Sequence, residues 1–400
     1  MATNSISIQD LIQSELQTFI AEHEHGDEKA LILKHKVIHH VPSFYVAEQI
    51  IGRRKSKAKI PLLYSTPGII YPPGVNLEQC SSELTARFKA ELVRGKKVAD
   101  LTGGFGIDTF FLSKKFEVVH AVEPNVHLLE IVRHNHHQLG ASNITYHPTT
   151  AEDFLKEEDR HFDLIYIDPS RRANGNQKVY KLSDCEPDIS KLQKVIFEKT
   201  PVLLVKCSPL LDLHQGLKEL DFVERVLVIS VDNECKEVLF LCRKGFASEA
   251  IIETMNLSAH TVDHFTFRFS EEQTIQSEFS KPLEYLYEPN AAILKAGAFK
   301  SIGDRFNLCK LHPSTHYYTA ANWVEDFPGR VFKIEALIKP DSAIAKKHFP
   351  DTKANVTTRN YPLTPAELKK KTKLRDGGEK YLIGFSGMKE KYLAVGLRIK

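Results

Sequence analysis

The stretch Val98-Ala-Asp-Leu-Thr-Gly-Gly-Phe-Gly-Ile-Asp108 decides the fold. An apolar strand ends at Asp100 and breaks into a turn with glycine at 103, 104 and 106, after which a helix opens. Glycine lacks a β-carbon, so the chain can reverse at positive φ, and a ligand can approach the backbone at the positive end of the helix. A glycine turn by itself is common, but this one has company. Val118-Val119-His120-Ala121-Val122 reads as a second strand. Glu123 at its end lies 23 positions after Asp100, the spacing of an acidic residue that binds a ribose. An adenosine-containing cofactor is the ligand this predicts. The residue three after Gly106 is Thr109, so the Gly-x-Gly-x-x-Gly fingerprint of NAD and FAD sites is absent.

Outward from that turn, strands are predicted at 97–101, 117–122, 143–147, 162–167, 201–206, 223–231 and 237–242, alternating with helical segments such as 125–139. Such alternation makes a parallel sheet covered on both faces. Only Asp232 to Lys236 separate the last two strands, which must therefore pair as an antiparallel hairpin. The expected fold class is α/β: a seven-stranded doubly wound sheet, a helical N-terminal region and a small α+β C-terminal module. The expected boundaries are 1–90 for the helical region, 91–245 for a Rossmann-like core, 246–330 for a connecting or ferredoxin-like segment, and 331–400 for the last module. Within that module, 331–338, 380–385 and 392–399 read as strands and 362–372 as a helix capped by Thr364.

Four hundred residues exceed what a single core supports, so two or three domains are expected. With 42% hydrophobic and 26% charged residues, the chain is of ordinary globular composition. No run of 18 apolar residues signals a membrane span, and Met1-Ala-Thr-Asn-Ser-Ile lacks the charged and apolar regions of a secretory leader, so a cytoplasmic location is expected. Six cysteines without a Cys-x-x-Cys pair signal neither a disulfide framework nor a zinc site, and no metal is expected. Charge is uneven. Residues 331–400 hold 16 Lys and Arg against 7 Asp and Glu, whereas the rest of the chain is net acidic. A polyanionic partner or a solvated helix face at Lys369-Lys370-Lys371 would each account for this. The basic run Gly52 to Lys59 reads as a crossing to the core, either a solvated loop or one that touches substrate phosphate, and His134, His136 and His137 as a solvated helix face.

Asp168 follows Phe162-Asp163-Leu164-Ile165-Tyr166-Ile167, at the carboxyl end of the fourth strand, where open α/β sheets bind ligands. Pro169 fixes the backbone there, and Ser170, Arg171 and Arg172 follow. The two arginines could clamp phosphate, stack on a base or pair with acids. Lys206 ends the fifth strand, Glu237 opens the seventh and Lys89 precedes the first. With Asp168 they would resemble the Lys-Asp-Lys-Glu set of ribose 2′-O-methyltransferases. Cys207 reads as a buried structural thiol.

Together, Asp100, the glycine turn, Glu123 and Asp168-Pro169 resemble the class I S-adenosylmethionine-dependent methyltransferases. The runs Leu77-Glu78-Gln79-Cys80-Ser81-Ser82-Glu83, Asn233-Glu234-Cys235-Lys236-Glu237 and Tyr287-Glu288-Pro289-Asn290-Ala291-Ala292 extend the likeness to the bacterial family with a THUMP-like C-terminal domain. The resemblance implies S-adenosylmethionine as cofactor, held by Asp100, Thr102, Gly103, Gly104, Gly106, Asp108, Glu123, Thr150, Ala151 and Asp168. It implies chemistry at Asp168, Pro169, Arg171, Arg172 and Lys206. Two departures stand out. The aromatic residue that exocyclic-amine methylases carry after the proline is replaced by Arg171, and the usual Gly-Asp-Ala after the third strand by Thr149-Thr150-Ala151. RNA is the expected acceptor, through a basic 331–400 module that resembles THUMP-type RNA-binding domains. A small-molecule or protein methyltransferase, and a catalytically idle RNA-binding protein on the same scaffold, remain as alternatives.

Overall fold

The computed structural model describes residues 6–171, 181–259 and 261–400. It divides into two compact units, one of residues 1–224 with 239–247, the other of 225–238 with 248–400.

The N-terminal part of the first unit is helical, its longer helices being α1 (Ser14–Glu22), α2 (Glu28–Lys34), α3 (Ser43–Lys59) and α4 (Glu83–Glu91). The basic run expected to form a loop is the last part of α3 instead. Val46, Ala47 and Ile50 recur at helical spacing and are buried, so the core face carries the helix through the charges. Those charges are answered inside the unit: Arg53 Nε lies 3.2 Å from Glu24, Arg54 Nη2 3.1 Å from Glu28, and Lys55 Nζ 2.5 Å from Glu78. Lys59 donates to the Leu77 carbonyl at 2.9 Å.

Five strands follow, each after the first preceded by a helix: β1 (Lys97–Asp100), β2 (Val118–Val122), β3 (Ile144–His147), β4 (Leu164–Ile167) and β5 (Val202–Cys207). The helices are α5 (Ile107–Ser113), α6 (Val126–Gln138), α7 (Ala151–Glu157) and α8 (Ile189–Lys199). β3, β2, β1, β4 and β5 lie side by side and parallel. β4 and β5 are buried throughout, as near-continuous apolar runs in a sheet covered on both faces require.

The sheet has nine strands, not the expected seven. β6 (Val223–Val231) and β7 (Glu234–Arg243) form the expected hairpin, turned by Asp232 and Asn233 at φ 49° and 64°, both positive as a tight two-residue turn demands. Beyond them, β8 (Ile251–Leu257) pairs parallel with β6, and β9 (Val262–Phe267) pairs antiparallel with β8. The order is β9-β8-β6-β7-β5-β4-β1-β2-β3. The physical reason is the edge of β6. Its apolar run Val226 to Ile229 is fully buried, and without β8 one row of its backbone groups would lack partners. Ile252, Thr254 and Leu257 are buried in β8, but Glu253 and Asn256 obscure the alternation in the sequence.

The second unit also holds a separate seven-stranded sheet of β10 (Tyr285–Pro289), β11 (Cys309–Lys310), β12 (Tyr318–Ala320), β13 (Gly329–Leu337), β14 (Asn355–Arg359), β15 (Lys380–Ser386) and β16 (Lys391–Arg398). The order β11-β12-β10-β13-β16-β15-β14 makes residues 285–398 one mixed sheet, in which β14 and β15 pair parallel and the other described neighbours antiparallel. Leu286, Tyr317, Phe332, Ile383 and Phe385 form one cluster of its core. The sheet is accompanied by α9 (Ala291–Ala296), α10 (Ser342–His348) and α11 (Pro365–Thr372). Thr364 and Glu367 cap α11 reciprocally, as the sequence predicts. No helix of the described residues is long and apolar enough to cross a membrane.

Candidate active site

The glycine turn between β1 and α5 is held from both sides. Asp100 is 1% exposed and accepts the Thr102 N–H at 3.0 Å and the Thr109 hydroxyl at 2.5 Å. Burial, with Asp108 and Asp168 nearby, pushes its carboxyl up to about 7. From β2, the Val122 carbonyl accepts Gly103 N–H at 2.8 Å, and Glu123 accepts the Gly104 N–H at 2.9 Å and the Asn125 N–H at 2.9 Å.

The glycines here are structural necessities. Gly106 has φ 76°, and a β-carbon would fall 2.5 Å from Val132 and 2.8 Å from His136. At Gly104, φ 50° disfavours any side chain while its β-carbon position meets nothing nearer than 3.8 Å, which leaves open space over the turn. A backbone stripped of side chains, with an acidic residue at the end of the next strand, is the cradle an adenosine-containing group needs.

Strand register then assembles the carboxylates. Ile167 pairs with Val205, so the next residues along β4 and β5, Asp168 and Lys206, come side by side and form an ion pair. The Thr102 hydroxyl accepts the Asp168 N–H at 2.6 Å, which fastens the end of β4 to the glycine turn. Of the other expected residues, Thr150 caps α7, its hydroxyl accepting the Asp153 N–H at 3.1 Å, and Ala151 is buried at the start of that helix. Arg171 lies in the two-residue strand Ser170–Arg171 after Pro169, paired with Cys185–Glu186, while Arg172 falls outside the described residues. Glu237 belongs to the other unit. Cys207 is buried, and burial raises its thiol well above the ordinary value, which makes it a poor nucleophile.

Sequence reasoning missed a second network around Asp108. Its carboxylate accepts the Ser81 hydroxyl at 2.7 Å and the Tyr166 hydroxyl at 2.8 Å, and lies 3.0 Å from Lys89 Nζ. Lys89, 2% exposed, also donates to Ser81 at 2.6 Å. Burial opposes the charged form of Asp108, but Lys89 and Lys206 outweigh it and hold the carboxyl below the ordinary value. The helical N-terminal segment thus delivers Ser81 and Lys89 to the edge of the glycine turn. The run Leu77 to Glu83 was the available signal, but nothing local in it names Asp108 as partner. His136, expected in solvent, is buried between the Gly106 carbonyl at 2.8 Å and the Tyr146 hydroxyl at 3.0 Å, and burial pushes its imidazole down to about 4. His134 reaches the Gly68 carbonyl at 2.8 Å.

Comparison with known proteins settles the family. A candidate methyltransferase of Porphyromonas gingivalis W83, known from its crystal structure, is 32% identical, with a TM-score of 0.85 over 96% of this chain and 98% of that one. Two uncharacterised S-adenosylmethionine-dependent methyltransferases of Mycobacterium tuberculosis, from strains CDC 1551 and H37Rv, are each 24% identical over 68% of this chain and 73% of their own length. Residues 85–215 match the family described as conserved hypothetical protein 95, residues 285–328 a ferredoxin-like domain, and residues 329–396 a THUMP domain-like family. The chain belongs to the S-adenosylmethionine-dependent methyltransferases with a THUMP-like C-terminal domain. The methyltransferase uses S-adenosylmethionine, and the open glycine turn with Glu123 fits that group.

Proposed function

We propose that this methyltransferase acts on RNA, which its THUMP-like region brings to the crevice at the carboxyl ends of β1, β4 and β5. The observation that carries the reading is the state of the lysines on and after α11. Lys370, Lys371 and Lys373 are exposed and meet no carboxylate among the described residues. Cations left unanswered in a basic stretch are the footprint of a polyanion. The match of 329–396 to a THUMP-like family supports the same partner.

In this reading the bound cofactor supplies a sulfonium methyl group. The turn residues Thr102, Gly103, Gly104 and Gly106 admit it, with Asp100 and Asp108 holding the turn in shape. Glu123 faces the ribose hydroxyls, and the Thr150-Ala151 backbone borders the adenine. Asp168 accepts a hydrogen bond from the nucleophile of the acceptor and aligns it, Lys206 orients that carboxylate, and Pro169 borders the incoming nucleotide. Rate then comes chiefly from alignment.

The test is a comparison of modified nucleosides by mass spectrometry in RNA from cells with and without the gene, and with the Asp168→Ala gene restored. One nucleoside should disappear with the gene and stay absent with the variant. Identical nucleoside profiles, with a protein that binds S-adenosylmethionine, would place the acceptor among small molecules or proteins.

A further inference from the structure

The first unit carries a second concave site, at the edge of its sheet opposite to Asp168. A cavity of about 530 Å³ lies where β1, β4 and β5 begin and β7 ends. Lys96, Lys97, Lys199 and Lys244 line it, against apolar walls from Phe162 and Phe197. A four-residue strand spans roughly 10–13 Å, so this cavity is separate from the crevice of methyl transfer.

The charges in it are unbalanced. Lys199 Nζ donates to the Glu158 carbonyl at 2.5 Å and Lys244 Nζ to the Phe197 carbonyl at 2.5 Å, both neutral acceptors that fix an ammonium without cancelling its charge. Lys97 meets no carboxylate among the described residues, and Lys96 reaches Glu117 only at 3.9 Å. Asp163, which also lines the cavity, is committed to the backbone: its Oδ2 accepts the Lys96 N–H at 2.6 Å and the Lys97 N–H at 2.9 Å. Gly95 makes that turn possible, since a β-carbon there would fall 2.4 Å from Asp163 Cβ. The turn therefore presents two consecutive lysines at the rim, and Glu198 is the other acid of the lining. Four cations against two carboxylates repel one another, and a concave site focuses their field on whatever anion enters.

We propose that this cavity binds a small phosphorylated ligand of the size and charge of a nucleoside diphosphate. Its volume lies within the usual range for small-molecule sites. Lysine ammoniums suit phosphate as point charges, and Phe162, Phe197 and Pro201 supply an apolar wall for the body of the ligand. Such a ligand would bind here whatever the methyl acceptor.

The test is calorimetric titration of the full chain with UDP and with pyrophosphate, in the presence of saturating S-adenosylmethionine so that the cofactor cradle is filled. One equivalent of either probe should bind, more weakly at higher salt. The double variant Lys97→Gln/Lys199→Gln should weaken it about ten-fold or more, with cofactor affinity unchanged as proof of folding. Lys244→Gln alone should weaken it less, and serves if the double variant does not fold. Absence of saturable binding, or equal affinity in wild type and variants, would overturn the proposal. So would variants that weaken an oligoribonucleotide while neither small probe binds.

Discussion

The crevice edge of the first unit and the lysines of α11 in the second handle charge in opposite ways. At the crevice three carboxyls of the described residues are answered: Asp168 by Lys206, Asp108 by Lys89, Asp100 by two hydrogen bonds from its own turn and helix. On and after α11 only Lys369 is answered among the described residues, by Asp376 at 2.7 Å, while Lys370, Lys371 and Lys373 stand in solvent. Buried charges that are paired hold a geometry, and their removal costs function or stability. Exposed charges that are unpaired contribute little to stability and wait for a counter-charge. The run Arg53 to Lys59 shows that sequence alone does not separate the two cases. It is as basic as 369–373, yet its members pair with Glu24, Glu28 and Glu78.

The largest effect is expected at Asp168. If the crevice does the chemistry and α11 the delivery, Asp168→Ala lowers turnover by about two to four orders of magnitude while cofactor and RNA affinities change little. Single-turnover rates measured beside binding isotherms decide it. A parallel loss of cofactor affinity would move Asp168 to the donor side.

Asp100 sharpens the contrast through pH. Its carboxyl is held at about 7 against an ordinary 3.8, so between about pH 4 and 7 the folded protein keeps a proton that the unfolded chain has released. The stability this contributes is present below pH 4 and is lost as pH rises through 7. Asp100→Asn, which cannot ionise, should remove a pH dependence on the order of 2–4 kcal/mol between pH 5 and 8. Urea unfolding of both proteins at the two pH values measures it. A difference between them that is constant with pH would mean that Asp100 is already ionised at pH 5.

Next in size is Glu123. Its carboxylate already holds Gly104 and Asn125, and charge-assisted hydrogen bonds contribute about 1.5–3 kcal/mol, so Glu123→Ala should weaken S-adenosylmethionine roughly 10- to 150-fold. Unchanged affinity by calorimetry would remove Glu123 from the site.

What the sequence made legible was local. The glycine turn, Asp100, Glu123 and Asp168 each sit at a strand end that apolar periodicity locates, and the capping pair Thr364 and Glu367 lies within one helical turn. What it hid was non-local. Ser81 and Tyr166 meet at Asp108 from 27 and 58 residues away, a pairing no spacing rule contains. His136 was misread because burial of a helix face depends on what packs there, here the Gly106 carbonyl. The eighth strand was missed because β8 interleaves Glu253 and Asn256 with its buried residues. Arg225 lies 2.6 Å from Glu253, and Ser230 bonds Asn256 at 2.8 Å, so both polar groups are satisfied within the sheet.

The smallest effect expected is also the one that separates delivery from chemistry. Neutralising phosphates releases their counterions, so RNA affinity should fall with salt at a slope near −0.7 per contact for single strands. Charge reversal at Lys370, Lys371 and Lys373 should flatten that slope by about two units and weaken RNA at low salt, with stability changed by less than about 0.5 kcal/mol and S-adenosylmethionine affinity unaltered. Stability is spared because these side chains are exposed and Leu368, the buried anchor of α11, is untouched. Filter binding across a salt series reads the slope. A salt-insensitive RNA affinity, or a slope that survives the reversal, would show that the lysines of α11 are a solvated face and that the acceptor reaches the crevice by another surface.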